Sequence, residues 1–184
     1  MASGLPLEDL PGVQLVPKFA FRDVRGALST VSPISPVTQV NVVENPYYGT
    51  LRGLHYQQPP YEQAKLISVI KGEIFDVIVD LRPGDTFRRW VGYYLSDQSP
   101  WALAVPAGCA HGYFVMREGT IVVYTVTGAY RPEAEAGLRW DDPAIGIQWP
   151  GRPRILSTKD QGWPLVGAAC VSIDSPSSDS SPQP

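Results

Sequence analysis

Short β-branched and aromatic runs, broken every few residues by glycine or proline, limit the fold of this chain more than any other feature. In the clearest stretch, Lys65-Leu-Ile-Ser-Val-Ile70 stops at Lys71-Gly72 and resumes as Glu73-Ile-Phe-Asp-Val-Ile-Val-Asp80. At a period of two, Phe75, Val77 and Val79 share one face, and Ile74, Asp76, Ile78 and Asp80 share the other. A second hairpin is expected where Gly112–Met116 turns through Arg117-Glu-Gly119 into Thr120–Thr127. Trp101–Pro106 and Arg89–Leu95 add further strands. The chain carries 17 Gly and 19 Pro, too many for a helical protein, and no segment sustains a 3.6-residue period. Helix is therefore limited to peripheral turns, near Leu7 or at Asp142–Ile145. Many short antiparallel strands must hide their edges, so the expectation is an all-β sandwich or barrel. One domain is expected over residues 1–170. The remainder, residues 171–184, is rich in Ser, Pro and Asp with almost nothing to bury, and reads as a disordered tail.

The 184 residues suffice for one substantial core. The formal net charge is −3, with no basic run, so electrostatics gives no reason to expect nucleic acid or an anionic membrane as a partner. No apolar stretch approaches the roughly 20 residues needed to span a bilayer. The first eleven residues hold Glu8 and Asp9 and lack the basic and apolar regions of a secretory signal. Cys109 and Cys170 are the only cysteines, too few for a disulfide framework, so a reduced, cytoplasmic protein is the expectation.

There are two histidines, His55 and His111. His111 lies in Pro106-Ala-Gly-Cys-Ala-His111, a PxGxxH spacing that resembles the second signature of the cupin roll. His55, in Leu51-Arg-Gly-Leu-His-Tyr-Gln57, stands where the first signature places its histidines. A metal-binding cupin has His-x-His there, whereas Gln57 stands two residues after His55. Three or four converging ligands would then need carboxylates, so the reading is a cupin jelly roll (a double-stranded β-helix) without metal or other cofactor. Taken singly, a histidine in a β-protein is more often a hydrogen-bonded structural residue than a catalyst. Here Arg52, Lys65, Asp76 and Asp80 lie close by in otherwise apolar strands. Burying such charges is costly unless they pair or serve a site. A structural Lys65–Asp76 ion pair is the plain alternative.

The same segments, taken together with Phe21-Arg-Asp-Val-Arg-Gly26, Gln63-Ala-Lys-Leu66, Gly72–Arg82, Trp149-Pro150 and Leu156-Ser-Thr-Lys-Asp160, resemble the dTDP-4-dehydrorhamnose 3,5-epimerase family. The elements run in order from about Phe19 to Pro164. The resemblance implies a metal-independent isomerase acting on a dTDP-linked 4-keto-6-deoxy sugar, whose C4 ketone acidifies the protons on C3 and C5. By position, His55 matches the general base, Asp160 the carboxylate that orients it, and Tyr124 the general acid on the far side of the sugar. Histidine titrates near neutral pH and a phenol stays protonated there, which suits these roles. Lys65 matches the cation for the enolate oxygen, with Arg52 beside it or on the diphosphate. Arg25 fits a nucleotide or phosphate contact, Gln39 and Asn41 a substrate-binding Q-x-N, and His111 sugar or phosphate. Tyr130 and Glu135 match positions lining nucleotide or sugar. Phe21 would stack on thymine, with core packing as the plain reading of Phe21 and Tyr130. The family also implies a homodimer paired through N-terminal strands.

Two departures stand out. Thr30 occupies the place of a glutamate five residues after the arginine of the R-G element, which bears on a nucleotide contact or on a dimer-swapped strand. The segment from Gln39 to His55 is one residue longer than expected and holds the atypical Asn45-Pro-Tyr-Tyr48. Relatives in natural-product pathways invert only C3 or only C5, so a single-carbon epimerase is one alternative. A metal cupin and a sugar-nucleotide binding module without chemistry are the others.

Overall fold

The structure, a computed structural model, describes residues 10–166. The Ser/Pro-rich tail and the expected helical turn near Leu7 lie outside the described residues. The strands are β1 (Gln14–Asp23), β2 (Gly26–Val31), β3 (Gln39–Asn45), β4 (Leu51–Gln57), β5 (Lys65–Lys71), β6 (Glu73–Asp80), β7 (Trp90–Ser96), β8 (Trp101–Val105), β9 (Cys109–Val115), β10 (Thr120–Val126) and β11 (Glu135–Gly137). They form a six-stranded sheet, ordered β2-β1-β8-β5-β10-β3, and a five-stranded sheet, ordered β11-β4-β9-β6-β7. The pairings within both sheets are antiparallel. Consecutive strands repeatedly cross between sheets, as β5 to β6 and β9 to β10 do, which is the topology of the expected jelly roll.

The alternation read in β6 separates two apolar layers. Ile74 and Ile78 join Ile67, Val69, Leu103, Val115 and Val122 between the sheets. Phe75, Val77 and Val79 face outward, yet they are covered by Leu138, Ile145 and Val166, with Trp140, Trp149 and Leu156 at the margin. From Ile74 to Asp80 every residue is therefore buried. Burial of each such valine or isoleucine contributes about 1.5–3 kcal/mol relative to exposure. The outer layer consists of coil after β11, and this coil brings the C-terminal segment back to the site. Arg154 N–H donates to Gly49 O and Leu51 N–H to Ile155 O, so residues 154–155 run along the start of β4.

The helical expectation at Asp142–Ile145 is corrected. The segment is a turn in which the Asp142 carboxylate accepts the Ala144 and Val166 amides, a local competitor of helix. The one α-helix among the described residues is α1 (Thr158–Gln161), N-capped by Ser157 Oγ, which accepts from Asp160 N–H at 3.0 Å. A 3-10 turn at Pro132–Ala134 precedes β11. Strand β9 begins three residues before the expected Gly112 and so includes His111. Among the described residues no helix is long and apolar enough to cross a membrane.

Candidate active site

Strand β4 supplies the centre of the site. Its ladder with β9 shifts between Arg52 and His55, where the backbones approach too closely for a side chain: a Cβ on Gly53 would lie 2.6 Å from Gly112 Cα. Gly53 has φ +123°, which an L side chain rarely adopts. Past this irregularity, His55 stands directly opposite His111. Helix α1 meets β4 here. His55 Nε2 lies 2.6 Å from Asp160 Oδ1, and Gly53 N–H donates to Asp160 Oδ2 at 3.3 Å. An ionised carboxylate only accepts, so Nε2 carries a proton, and in the neutral form of the ring Nδ1 holds the lone pair. Burial pushes the Asp160 carboxyl up, but the His55 hydrogen bond and charge, the Gly53 amide and Ser157 outweigh it and hold the group below its ordinary value.

The buried pair beside it is His111 with Asp76, Nε2 to Oδ1 at 2.8 Å. Asp76 is fully buried and its Oδ2 has no hydrogen-bond partner among the described residues. This corrects the plain alternative of a Lys65–Asp76 ion pair. The β6–β9 register places Ile78 opposite His111 and Asp76 opposite Tyr113, within reach of the imidazole, while Lys65 Nζ donates to His55 O at 3.3 Å. Asp80, on the same face as Asp76, pairs with Arg82 at 2.6 Å and accepts from Thr86, so its burden is structural. Burial pushes the Lys65 ammonium down to about 8, and the charges of Asp76 and Glu135 draw it back up.

The opposite wall comes from the six-stranded sheet. Tyr124 on β10 stands between Asn41 of β3 and Ile67 of β5 in the ladders. Burial raises its phenol above the ordinary value, against the Arg52 charge and with that of Glu135, so it holds its proton. A cavity of 390 Å³ lies between the walls, lined by Arg52, His55, Lys65, His111, Tyr124 and Asp160 among others. A second cavity of 270 Å³ shares His55, Lys65, Tyr124 and Glu135 and extends to Gln39, Asn41 and Tyr130. Glu135 joins the two: it accepts from Tyr130 Oη at 2.6 Å and is paired with Lys159. Burial works to raise the Glu135 carboxyl, but Lys159 and Tyr130 hold it below its usual value.

Phe21 and Arg25 line neither cavity. They lie on the β1–β2 hairpin, Phe21 64% exposed and Arg25 paired with Asp23. Tyr130 is 51% exposed, so the core-packing reading fails for both aromatics. Three participants were not singled out from sequence. Lys159 lines the main cavity, and its place beside Asp160 in Ser157-Thr-Lys-Asp160 was the available signal. Tyr113 lines it too, with an OH that burial raises. Asn45, from the atypical segment, accepts Arg52 Nε–H at 2.8 Å and is 1% exposed; nothing in the sequence pairs the two. Among the described residues no three His, Cys, Asp or Glu side chains gather to hold a metal ion. Both imidazole Nε2 atoms are committed to carboxylates.

An imidazole backed by a carboxylate on one wall, with a protonated phenol and an ammonium on the other, suits proton removal beside a carbonyl and return on the opposite face. Comparison with known proteins agrees. The family profile described as dTDP-4-dehydrorhamnose 3,5-epimerase matches residues 8–167. A dTDP-4-dehydrorhamnose 3,5-epimerase of Sinorhizobium fredii is 40% identical over 172 residues, 88% of each chain. The Bacillus anthracis epimerase solved with TDP and pyrophosphate bound superimposes with a TM-score of 0.81 at 36% identity, covering 90% of this chain and 100% of that one. The Legionella pneumophila epimerase in complex with dTDP-4-keto-L-rhamnose gives 0.82 at 32% identity, covering 95% of each. In fold and in sequence, the chain belongs to the dTDP-4-dehydrorhamnose 3,5-epimerase family.

Proposed function

We propose that the protein inverts C3 and C5 of a dTDP-linked 4-keto-6-deoxyhexose, dTDP-4-dehydro-6-deoxyglucose, to give dTDP-4-dehydro-L-rhamnose. The observation that carries this is the division of labour between the sheets. His55 with Asp160 stands on the five-stranded side, and Tyr124 with Lys65 on the six-stranded side, around one cavity. His55, held by Asp160, takes the proton α to the ketone through its free nitrogen and becomes an imidazolium facing a carboxylate. The electron pair moves onto the C4 oxygen, where the Lys65 ammonium stabilises the enolate. Tyr124 returns a proton to the opposite face, and solvent exchange restores both groups. Arg52 binds the diphosphate, while Gln39, Asn41, Tyr130 and Glu135 of the adjoining cavity receive sugar and nucleoside.

A homodimer completes this reading. Among the described residues, strands β2 and β3 are the two edges of the six-stranded sheet, and a sheet edge invites another chain. Phe21 is paired with Leu28 across the β1–β2 ladder, and Phe19 lies two residues along on the same face; all three are exposed. Thr30 sits opposite Phe19 on this face, so the departure from glutamate falls beside Phe21. On β3, Gln39 and Asn41 line the cavity while Val40 and Val42, on the other face, are exposed. A partner's hairpin laid along β3 would bring a Phe21 and an Arg25 to the nucleotide end of the cavity.

Proton NMR in deuterium oxide with dTDP-4-keto-6-deoxyglucose tests the function. The reading predicts deuterium at both C3 and C5 with an L-configured product. Exchange at one carbon alone establishes a single-carbon epimerase, and exchange at neither contradicts the proposal.

A further inference from the structure

Trp163 touches the catalytic machinery without lining either cavity. Its indole Nε1–H donates to Asp160 Oδ1 at 3.3 Å, the same oxygen that His55 Nε2 approaches to 2.6 Å. Its ring lies edge-on to the His55 imidazole, centroids 6.1 Å apart at 69°. The Lys159 ammonium sits 5.5 Å from the ring centroid, within cation–π range. The ring has room because Gly137, which stands opposite His55 in the β4–β11 ladder, has no side chain. A Cβ there would lie 2.3 Å from Trp163 Cε2 and 2.5 Å from Nε1.

We infer that Trp163 is a positioning residue for the His55–Asp160 pair, fixing the carboxylate's plane and limiting its basicity through the indole N–H. With Gly53 N–H on Oδ2, the indole leaves Asp160 one orientation in which Oδ1 meets His55. The donor also withdraws charge from the carboxylate, so the imidazolium is stabilised less strongly and releases its proton more readily between turnovers. The other titratable groups around His55 are Lys159 beside Asp160, Glu135 on β11, Lys65 on β5, His111 on β9 and Tyr124 on β10; the substitution below removes none of them.

This inference rests on His55 acting as the base, so His55→Ala is measured alongside Trp163→Phe, which keeps a ring and removes the N–H. For Trp163→Phe, KM is expected to stay within about twofold while kcat falls roughly tenfold, part of the about 10²–10⁴ that a general base supplies. A more basic Asp160 holds the imidazolium to higher pH, so the acidic limb of kcat/KM moves up by about half a pH unit. A purely structural role would lower the melting temperature and leave that limb in place, which overturns the inference. In the wild-type protein, the indole N–H resonance with Overhauser contacts to Gly137 is expected to shift with the midpoint of the acidic limb. Its indifference to that titration would also overturn the inference, even if Trp163→Phe failed to fold. Persistent turnover in His55→Ala would remove both this inference and the assignment of the base. An inactive His55→Ala with an unchanged Trp163→Phe profile would remove this inference alone.

Discussion

His55 and His111 stand directly opposite one another in the β4–β9 ladder, yet each gives its Nε2 to a different carboxylate: Asp160 from α1 and Asp76 from β6. The two pairs differ in setting. The Asp160 side chain is 5% exposed beside a His55 ring that is 35% exposed, whereas His111 and Asp76 are 7% and 0% exposed. The first pair can reach a ligand and exchange protons with solvent. The second is almost wholly buried, meets the cavity only through His111, and has a carboxylate that also raises the nearby Lys65.

Breaking the buried pair is therefore expected to cost stability. In His111→Ala the fully buried Asp76 keeps no hydrogen-bond partner among the described residues, and denaturant unfolding should show a loss of about 3–5 kcal/mol. Asp76→Asn removes the charge that supports the Lys65 ammonium. Lys65 then loses its proton at lower pH, and the alkaline limb of kcat should move acidward from about 8.

Lys65 itself sets function against stability. Its folded value of about 8 lies below the roughly 10.4 of an unfolded lysine. Between those values the unfolded chain binds more protons, so this group makes stability rise with pH across that window. Lys65→Met removes the buried ammonium and should raise the melting temperature at pH 7 relative to the parent. The enolate loses its cation, and kcat should fall about 10²–10³-fold.

Asn45 carries the consequence of the atypical segment. Its Oδ1 accepts from Arg52 Nε at 2.8 Å and from Tyr113 Oη at 3.4 Å, fixing the guanidinium before a ligand arrives. Asn45→Ala frees Arg52. Steady-state kinetics should show KM for the nucleotide sugar rising roughly five- to tenfold with kcat within about twofold, the pattern of lost uniform binding. A fall in kcat at constant KM would place Arg52 on the reacting oxygen instead.

The edge strands make the oligomer testable. Leu28 is 64% exposed on the hairpin face that holds Phe19 and Phe21. Light scattering should give twice the chain mass for the parent and a single chain mass for Leu28→Glu, with KM raised as the partner's Phe21 and Arg25 leave the site. An exposed substitution of this kind should change monomer stability by no more than about 0.5 kcal/mol. A monomeric parent would contradict the reading.

Much of this was legible in the sequence where the physics is local. The period of two over Glu73–Asp80 placed Phe75, Val77 and Val79 on one face and Ile74 and Ile78 on the other, as the two apolar layers require. That Asp76 needed a partner was legible from the cost of burying it. That the partner is His111 and not Lys65 was not, because the choice depends on the β6–β9 register between strands about 35 residues apart. Asp160 lies 105 residues from His55, and only the family resemblance linked them. The helical turn assigned to Asp142–Ile145 occurs instead at Thr158–Gln161, where Ser157 caps the helix and Asp142 spends its carboxylate on loop amides. Arg52–Asn45 and Trp163–Gly137 escaped the sequence because each depends on where separate segments meet.

In the proposed mechanism a proton leaves to His55 on one wall and returns from Tyr124 on the other. Tyr124→Phe, followed in deuterium oxide, separates the two steps. Without the phenol, His55 still removes the proton and can return a deuteron only to the face it came from. The expected result is deuterium gained next to the ketone in unreacted, uninverted substrate, with inverted product reduced at least about 100-fold and with all exchange abolished by His55→Ala. Inversion at the parent rate in Tyr124→Phe, or exchange that survives His55→Ala, would contradict the account.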